Sequence, residues 1–482
     1  MRRIVTLFIA LAAVVPLLRA EDAEPDYTDG VFILNEDWYG HNNSTINYLT
    51  PDGEWDYRVF QKENPGRELG GTSQYGTVFD GRLYIVSKQD KDPAAAVVGG
   101  RITVCDARTM ECIAQIPVIA ADSTGKSVAD GRAFVGVTPE KGYVSTSNGI
   151  YPFDLERLEV GGMISGTGGG SSLYSGQCGM MVSPGDSYVY AVHQQKGLFV
   201  IDAETDTIVR TIAAPVDSVG GKAKQRGFGA LVQSKDGDLW LSVSADASGT
   251  GSTVDYIMRY DMELQDTVRV AVPEGFGAPS SWYAWTADAM CASSVENRLY
   301  WKKQDAGWFT NSVICCYDID KGEFNPEFFD TQSIGWYLYC GAAFRLHPVT
   351  DEMYCTLYQG TLSQSYLTLR LSNRGEVLDS YEMIDNYWFP AMPVFPERDN
   401  GGATAVGLVD DAPDATVCYD PHARVLRICS DAVADITVCG MTGAVLWSEV
   451  AVQGGTCISV SGWADGVYLV RVNGLVHKVI IH

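Results

Sequence analysis

Apolar residues in this chain come in short runs mixed with aromatics and broken by Gly, Asp and Asn, and helical spacing is absent over any length. A strand carrying an aromatic recurs seven times: Val31-Phe32-Ile33-Leu34, Leu83-Tyr84-Ile85-Val86, Tyr143-Val144, Val189-Tyr190-Ala191-Val192, Leu239-Trp240-Leu241-Ser242, Leu299-Tyr300-Trp301 and Met353-Tyr354-Cys355. From Phe32 through Tyr84, Tyr143, Tyr190, Trp240 and Tyr300 to Tyr354 the intervals are 52, 59, 47, 50, 60 and 54 residues. A turn signal such as Asp80-Gly81, Lys141-Gly142 or Asp236-Gly237 precedes most of them. Most aromatic strands are followed by an apolar strand that ends in Asp (Asp106, Asp202, Asp261, Asp318), a polar turn and a further strand. The Asp suits such a turn because its carboxylate accepts from nearby backbone amides. Another apolar piece stands upstream of most units, as in Tyr75 to Phe79, Cys178 to Val182 and Phe228 to Val232.

Each unit therefore reads as four strands in about 50 residues, and repeated four-stranded sheets protect their edges by standing in a circle. The expected fold class is all-β: a seven-bladed β-propeller over residues 31–396, followed by a small C-terminal β-sandwich-like domain over 417–482. A six- or eight-bladed count is the rival. The first unit lacks its innermost strand, and the segment from Asn386 to Phe395 can supply it, although Pro390 and Pro393 each remove a ladder donor. Gly- and Asp-rich residues 397–416 read as a linker, and 21–30 as a short N-terminal one.

The first twenty residues change the picture of where the chain works. Arg2 and Arg3 precede an apolar run from Ile4 to Leu18, then Ala20 and acidic Glu21 and Asp22, which is the layout of a secretory signal peptide at 1–20. The run is too short to span a bilayer, and no cysteine near the cut could carry a lipid. A secreted or cell-surface protein is expected. The formal charge of −25 makes nucleic acid a poor partner. Fifty Gly, with 16 Phe, 11 Trp and 25 Tyr, fit many strands joined by tight turns. The 12 cysteines show neither CxxC pairs nor zinc spacing and read mainly as small core residues, with Cys429, Cys439 and Cys457 the ones expected to include a bridge.

Motifs for nucleophilic, zinc or nucleotide chemistry are missing, so no catalytic residue, cofactor or metal is expected. Ser165 to Ser171 is Gly-rich but opens no helix, and reads as a flexible connection. In a propeller, the start of each innermost strand and the end of each second strand meet on one rim. That rule nominates Trp38, Tyr39, His41, Asn42, Gln74, Tyr75, Lys88, Gln177, His193, Gln194, Arg226, Trp282, Tyr283, Trp285, Lys302, Tyr337, Tyr339 and Tyr358 as ligand-binding residues. Asn35, Gln89, Asn148, Gln195, Trp308, Gln359, Tyr387 and Trp388 fall at the same mouth. Aromatic faces interleaved with amides suit a large, flat, polar, uncharged small molecule, such as a sugar or a corrinoid ring.

The segment Gly30-Val-Phe-Ile-Leu-Asn-Glu-Asp-Trp-Tyr-Gly-His-Asn-Asn-Ser-Thr-Ile-Asn-Tyr48, with Gln74-Tyr75-Gly76 and Leu83-Tyr-Ile-Val-Ser87, resembles the opening of YncE-like propellers of Bacteroidetes cell surfaces. That family includes surface proteins that capture cobalamin and pass it to an outer-membrane transporter. The resemblance implies a surface ligand binder without catalysis. A surface adhesin or glycan-binding scaffold is the alternative, and a propeller lyase or lactonase a further one. The tail, with Ile436-Thr-Val-Cys-Gly-Met-Thr-Gly443, Gly466-Val-Tyr-Leu-Val-Arg-Val472 and Lys478-Val-Ile-Ile, resembles the C-terminal sorting domain of type IX secretion. It implies contact with secretion machinery and attachment at the outer membrane.

Overall fold

The seven recurring aromatics are wedges, and their rings explain why the strands assemble as they do. Phe32, Tyr84, Tyr143, Tyr190, Trp240, Tyr300 and Tyr354 are all buried. Most reach across to the following sheet. Tyr84 stacks on Phe134 with centroids 4.1 Å apart, Tyr190 packs on Tyr260, and Trp240 meets Tyr317 edge-on. The Tyr143 hydroxyl donates to Asp206 Oδ1 at 2.5 Å. Such large rings bury enough apolar area to dominate the packing between sheets.

The structure is a computed structural model. It describes residues 25–396 except 170–176, 186, 246–253, 275–277, 280–289, 304–310, 340–342 and 361–362. Beyond them it describes 415–420, 424–430, 434–440, 445–452, 456–463, 466–472 and 475–481. The chain divides into two compact units, Met1–Thr404 and Ala405–His482. The signal peptide at 1–20, the linker core 397–414 and the last two residues, 170 and 171, of the Gly-rich connection from 165 to 171 lie outside the described residues. Among those described, no helix is long and apolar enough to cross a membrane.

The larger unit is all-β and of propeller type, with one short α-helix, Val59–Glu63, and a 3-10 turn, Thr331–Ile334, among the described residues. Its sheets are antiparallel, and seven of them follow one plan. The first sheet runs Pro390–Val394, Val31–Asn35, Thr45–Leu49, Trp55–Asp56, so a late segment supplies its first strand as the sequence predicts. Phe32 faces Val394 and Leu34 faces Met392. The second sheet runs Gly71–Phe79, Arg82–Gln89, Ile102–Asp106, Cys112–Ile116. The third to sixth begin at Gly131–Thr138, Cys178–Val182, Gly227–Gln233 and Met290–Ala292. In the seventh, Tyr337–Leu338 and Phe344–Leu346 both pair with Met353–Tyr358 on the inner edge. The first strand of each sheet touches that of the next, and Phe344–Leu346 returns to Pro390–Val394. The approach is close: a Cβ on Gly136 would lie 2.3 Å from the Phe79 ring.

Burial falls from the inner edge outward. Cys178–Val182 and Leu239–Ser244 are buried throughout, whereas Thr207–Ile212 and Asp266–Ala271 are largely exposed. Strands covered on both faces need continuous apolar runs, which is why the inner strands do not alternate. The aspartates that end the third strands do cap their turns. Asp106 Oδ1 accepts from Arg108 N and Thr109 N, Asp202 Oδ1 from Glu204 N and Thr205 N, and Asp261 Oδ1 from Glu263 N and Leu264 N. A hairpin not expected from the sequence, Val216–Val219 with Lys222–Gln225, stands between the fourth and fifth sheets. Its Gly220-Gly221 turn takes positive φ at both residues, which glycine alone tolerates freely.

In the smaller unit, Ala415–Asp420, Val425–Ser430 and Thr456–Ser459 form one sheet. Val445–Val452, Ala434–Gly440, Gly466–Val472 and Leu475–Ile481 form a second. Leu426, Ile428 and Ile458 share a core with Ile436, Val438 and Val470. Cys439 and Cys457 are free thiols, so the bridge expected to involve them is not present; the Cys429 side chain lies outside the described residues. Cys439 is part-buried on one sheet and Cys457 exposed on the other, and strand pairing does not bring them together.

Candidate functional site

Two buried polar networks occupy the rim where inner strands start and second strands end. The first gathers around Glu36, which follows the strand Val31–Asn35 and is almost fully buried. Gln74 Nε2 donates to Glu36 Oε1, the Tyr339 hydroxyl bonds the same carboxyl, and Lys88 lies near enough to favour its charge. Burial nevertheless wins and pushes the Glu36 carboxyl up. Lys302 Nζ donates to the Tyr339 carbonyl at 3.2 Å. Residues from the second, first, seventh and sixth sheets thus meet.

The second network spans the third, fourth and fifth sheets. Arg132 Nε donates to Gln177 Oε1 at 2.6 Å, and Gln177 N donates to Gln194 Oε1 at 3.1 Å. Gln194 N donates back to the Gln177 carbonyl, and Phe228 N donates to the Gln194 carbonyl at 3.2 Å. Burial lowers the Arg132 guanidinium to about 10, partly opposed by the Asp130 charge. Arg226 starts the fifth sheet's inner edge and bonds Asp217 on the added hairpin at 2.6 Å.

The loop after Val31–Asn35 is held in place by the ring-closing segment. Glu36 N donates to the Phe389 carbonyl and Asp37 N to the Trp388 carbonyl. Asp37, Thr72 and Phe389 all have positive φ at this rim, which for non-glycine residues stores strain of the sort found at functional sites. Asp37 is 2% exposed, accepts from Thr45 Oγ1 at 2.6 Å through Oδ2, and leaves Oδ1 without a partner. Desolvation raises its carboxyl to about 8, against the Thr45 bond and the Arg58 charge, which lower it. Asp37 lines a cavity of about 370 Å³ with His41, Asn42, Asn43, Arg58 and Glu68.

The nominated aromatics divide. Trp38 packs on His41 and Tyr387 with centroids at 3.9 and 4.2 Å. From Tyr387 the rings continue through Phe389 to Tyr339 and Tyr358. Tyr337 is part-buried on the same edge, and Tyr39 is half exposed. Tyr75, Tyr339 and Tyr358 are buried members of the hydrophobic clusters. Trp282, Tyr283, Trp285 and Trp308 lie outside the described residues. Glu36, Asp37 and Arg132 were not among the nominated residues. The sequence signal for the first two is the Asn-Glu-Asp triplet that ends an apolar strand; Arg132 is a lone cation at a strand start.

His193 is fully buried at the end of its strand. Its Nδ1 accepts from Gln195 N and Lys196 N, so the neutral ring carries its proton on Nε2, which has no partner. Burial and the Lys196 charge lower it to about 4. The unfolded chain therefore binds this proton more tightly, and stability from this site is lost as pH falls from about 6.5 to about 4, at roughly 1.4 kcal/mol per unit. Urea unfolding at several pH values should show a shallower acid limb in His193→Gln than in the parent chain. Among the described residues no three His, Cys, Asp or Glu side chains converge as a metal site requires.

The sequence profile of a domain of unknown function, DUF5074, matches residues 29–396. The chain belongs to that family. No functionally curated protein matches it by sequence. Among solved structures, a quinonprotein alcohol dehydrogenase-like protein from Bacteroides thetaiotaomicron aligns with TM-score 0.51 at 15% identity, over 77% of this chain and 79% of the other. At that identity the likeness shows the fold of the DUF5074 segment and nothing of its chemistry. The extracellular domain of a hybrid two component system from the same organism aligns at 10% identity and TM-score 0.45, covering 92% of this chain and 61% of that one. Dihydro-heme d1 dehydrogenase NirN aligns at 11% identity and TM-score 0.36, over 80% and 77%.

Proposed function

We propose that the seven sheets are the blades of a propeller and that the protein, exported and held at the cell surface, captures a small polar ligand at the described rim without transforming it. One observation carries the reading: two networks, Gln74-Glu36-Tyr339-Lys302 and Arg132-Gln177-Gln194, draw polar side chains from six of the seven sheets towards one rim, and the fifth joins through the Phe228 backbone amide. Buried polar groups are costly unless satisfied, and a chain that needed only a closed ring could fill these positions with apolar residues. Aromatic rings run from Trp38 through Tyr387 and Phe389 to Tyr339 beside the first network, and of these the part-buried Trp38 and Tyr387 are the ones a ligand could reach.

A corrinoid such as cobalamin is the leading ligand, with hand-over to an outer-membrane transporter as its purpose. The C-terminal unit acts in this reading as a sorting domain read by secretion machinery. A second reading, an adhesin or glycan-binding scaffold, draws on the loop cavity lined by Asp37, His41, Asn42 and Arg58, whose size and mixed polar lining suit a sugar unit. A lyase or lactonase would need a catalytic acid and base at the mouth, and Glu36 and Asp37 are the acids to test for that role.

Calorimetric titration of the purified chain with cobalamin and with neutral oligosaccharides separates these readings. Saturable heat with the corrinoid, weakened about tenfold to a hundredfold in Gln194→Leu and in Lys302→Met, is the expected result. Heat with oligosaccharides alone would move the protein to the second reading. Silence with both, at tens of micromolar protein, would end the proposal for these ligands.

A further inference from the structure

Cys105 and Cys112 stand opposite each other on neighbouring antiparallel strands of the second sheet, at the mouth of the turn that Asp106 caps. We propose that these two thiols are a redox modification site that closes to a cross-strand disulfide when the protein meets an oxidising disulfide. Directly opposed residues of an antiparallel pair have Cα atoms roughly 4.5–5.5 Å apart, inside the range a disulfide spans without moving the backbone. The side chains already meet, since the Cys105 thiol bonds the Cys112 sulfur.

The two sulfurs are unequal in a way that orders the reaction. Cys112 is part-buried, and the exposed Arg67 guanidinium donates to its Sγ at 3.4 Å. The bond from Cys105 and the Arg67 charge together lower the Cys112 thiol to about 7, so a thiolate forms near neutral pH. Cys105 is fully buried, and burial holds its thiol well above the ordinary value. Cys112 is therefore the attacking sulfur. Its thiolate displaces one sulfur of an external disulfide as a thiolate, giving a mixed disulfide on Cys112. Cys105 then loses its proton, attacks Cys112 Sγ and expels the second external thiolate. The sum is two protein thiols oxidised, one external disulfide reduced to two thiols and no other reactant.

Other described cysteines lack this combination. Burial raises Cys178 and Cys316 to about 12, and Cys315 and Cys316 are adjacent in one strand, where their side chains point to opposite faces. The bond would fasten the outer strand Cys112–Ile116, which otherwise hangs on its ladder and on Asn64 and Gln115 hydrogen bonds to the preceding loop.

The test uses the full chain, oxidised and reduced glutathione, alkylation and peptide mass mapping. The parent chain should lose the mass of two hydrogens on a peptide joining Cys105 to Cys112, and a reductant should reverse it. Cys105→Ser should instead accumulate a glutathione adduct on Cys112. Arg67→Leu should slow the first step about tenfold at neutral pH. A parent chain that keeps a stable glutathione adduct on Cys112, or in which both residues are still alkylated after oxidation, would overturn the proposal. So would Cys112→Ser showing oxidation of Cys105 at the parent rate.

Discussion

Deleting Pro390–Val394 from the full chain is expected to abolish cooperative folding of the larger unit. This segment is the inner strand of the first sheet, and Ala391, Met392, Val394 and the following Phe395 are buried. Burying each large apolar side chain is worth about 1.5–3 kcal/mol, so losing Met392 and Val394 and uncovering Phe395 approaches the lower end of the net stability of about 5–15 kcal/mol for a domain. The deletion also strips Val31–Asn35 of a partner and exposes a strand edge open to pairing with other chains. The prolines are tolerable because this strand lies at the inner edge, where the lost donors face no further strand. Urea unfolding followed by tryptophan fluorescence should change from a single transition to a broad drift, with Val394→Asp in between. A deletion variant that unfolds at the parent midpoint would show that the first sheet holds without its late strand.

The fold was legible because its organising residues are large and regularly spaced. Tyr84, Tyr190 and Trp240 could be counted along the chain, and the structure shows each ring wedged against the next sheet. The Asp-capped turns were equally plain, since one carboxylate does the same work each time. The rim was legible only in part. Strand order nominates Gln74, Gln177, Gln194, Lys302 and Tyr339, which the structure brings into the two polar networks, because strand starts and ends alternate between two rims. It does not tell Gln74 from Tyr75, where a single residue step changes the face and sends the tyrosine into the core. Glu36 and Arg132 escaped because acids and cations normally mark solvent, and nothing local announces that the ring of sheets will bury them. The Val216–Gln225 hairpin was overlooked although Gly220-Gly221 is a two-residue hairpin turn; its strands are short and exposed, with no apolar alternation to reveal them.

Replacing Asp37 by Asn is expected to stabilise the protein at neutral pH by a few kcal/mol and to flatten its pH dependence. The Asp37 carboxyl titrates near 8 in the folded chain against 3.8 in an open one, chiefly because burial strips water from the charge. The folded state thus binds this proton more tightly than the unfolded state. Stability from the site is complete below about pH 4 and drains away as pH rises towards 8, at roughly 1.4 kcal/mol per unit. Asn is neutral throughout, and its Oδ1 can still accept from Thr45 Oγ1. The variant should match the parent near pH 4.5 and exceed it increasingly at pH 6 and 7.5 in urea unfolding. Glu36 is also pushed up and adds a slope of the same sign, but it is common to both proteins and cancels in the difference. A variant less stable than the parent at pH 7.5 would mean that the carboxylate is solvated or paired, contrary to its burial. The retained cost has a use in the binding reading. An acid kept protonated at a cavity wall can donate a hydrogen bond through Oδ1 to a neutral oxygen of a bound molecule, which an ionised one cannot. A ligand held this way should bind more weakly above about pH 8 in the parent chain and without that loss in Asp37→Asn, whose amide still donates.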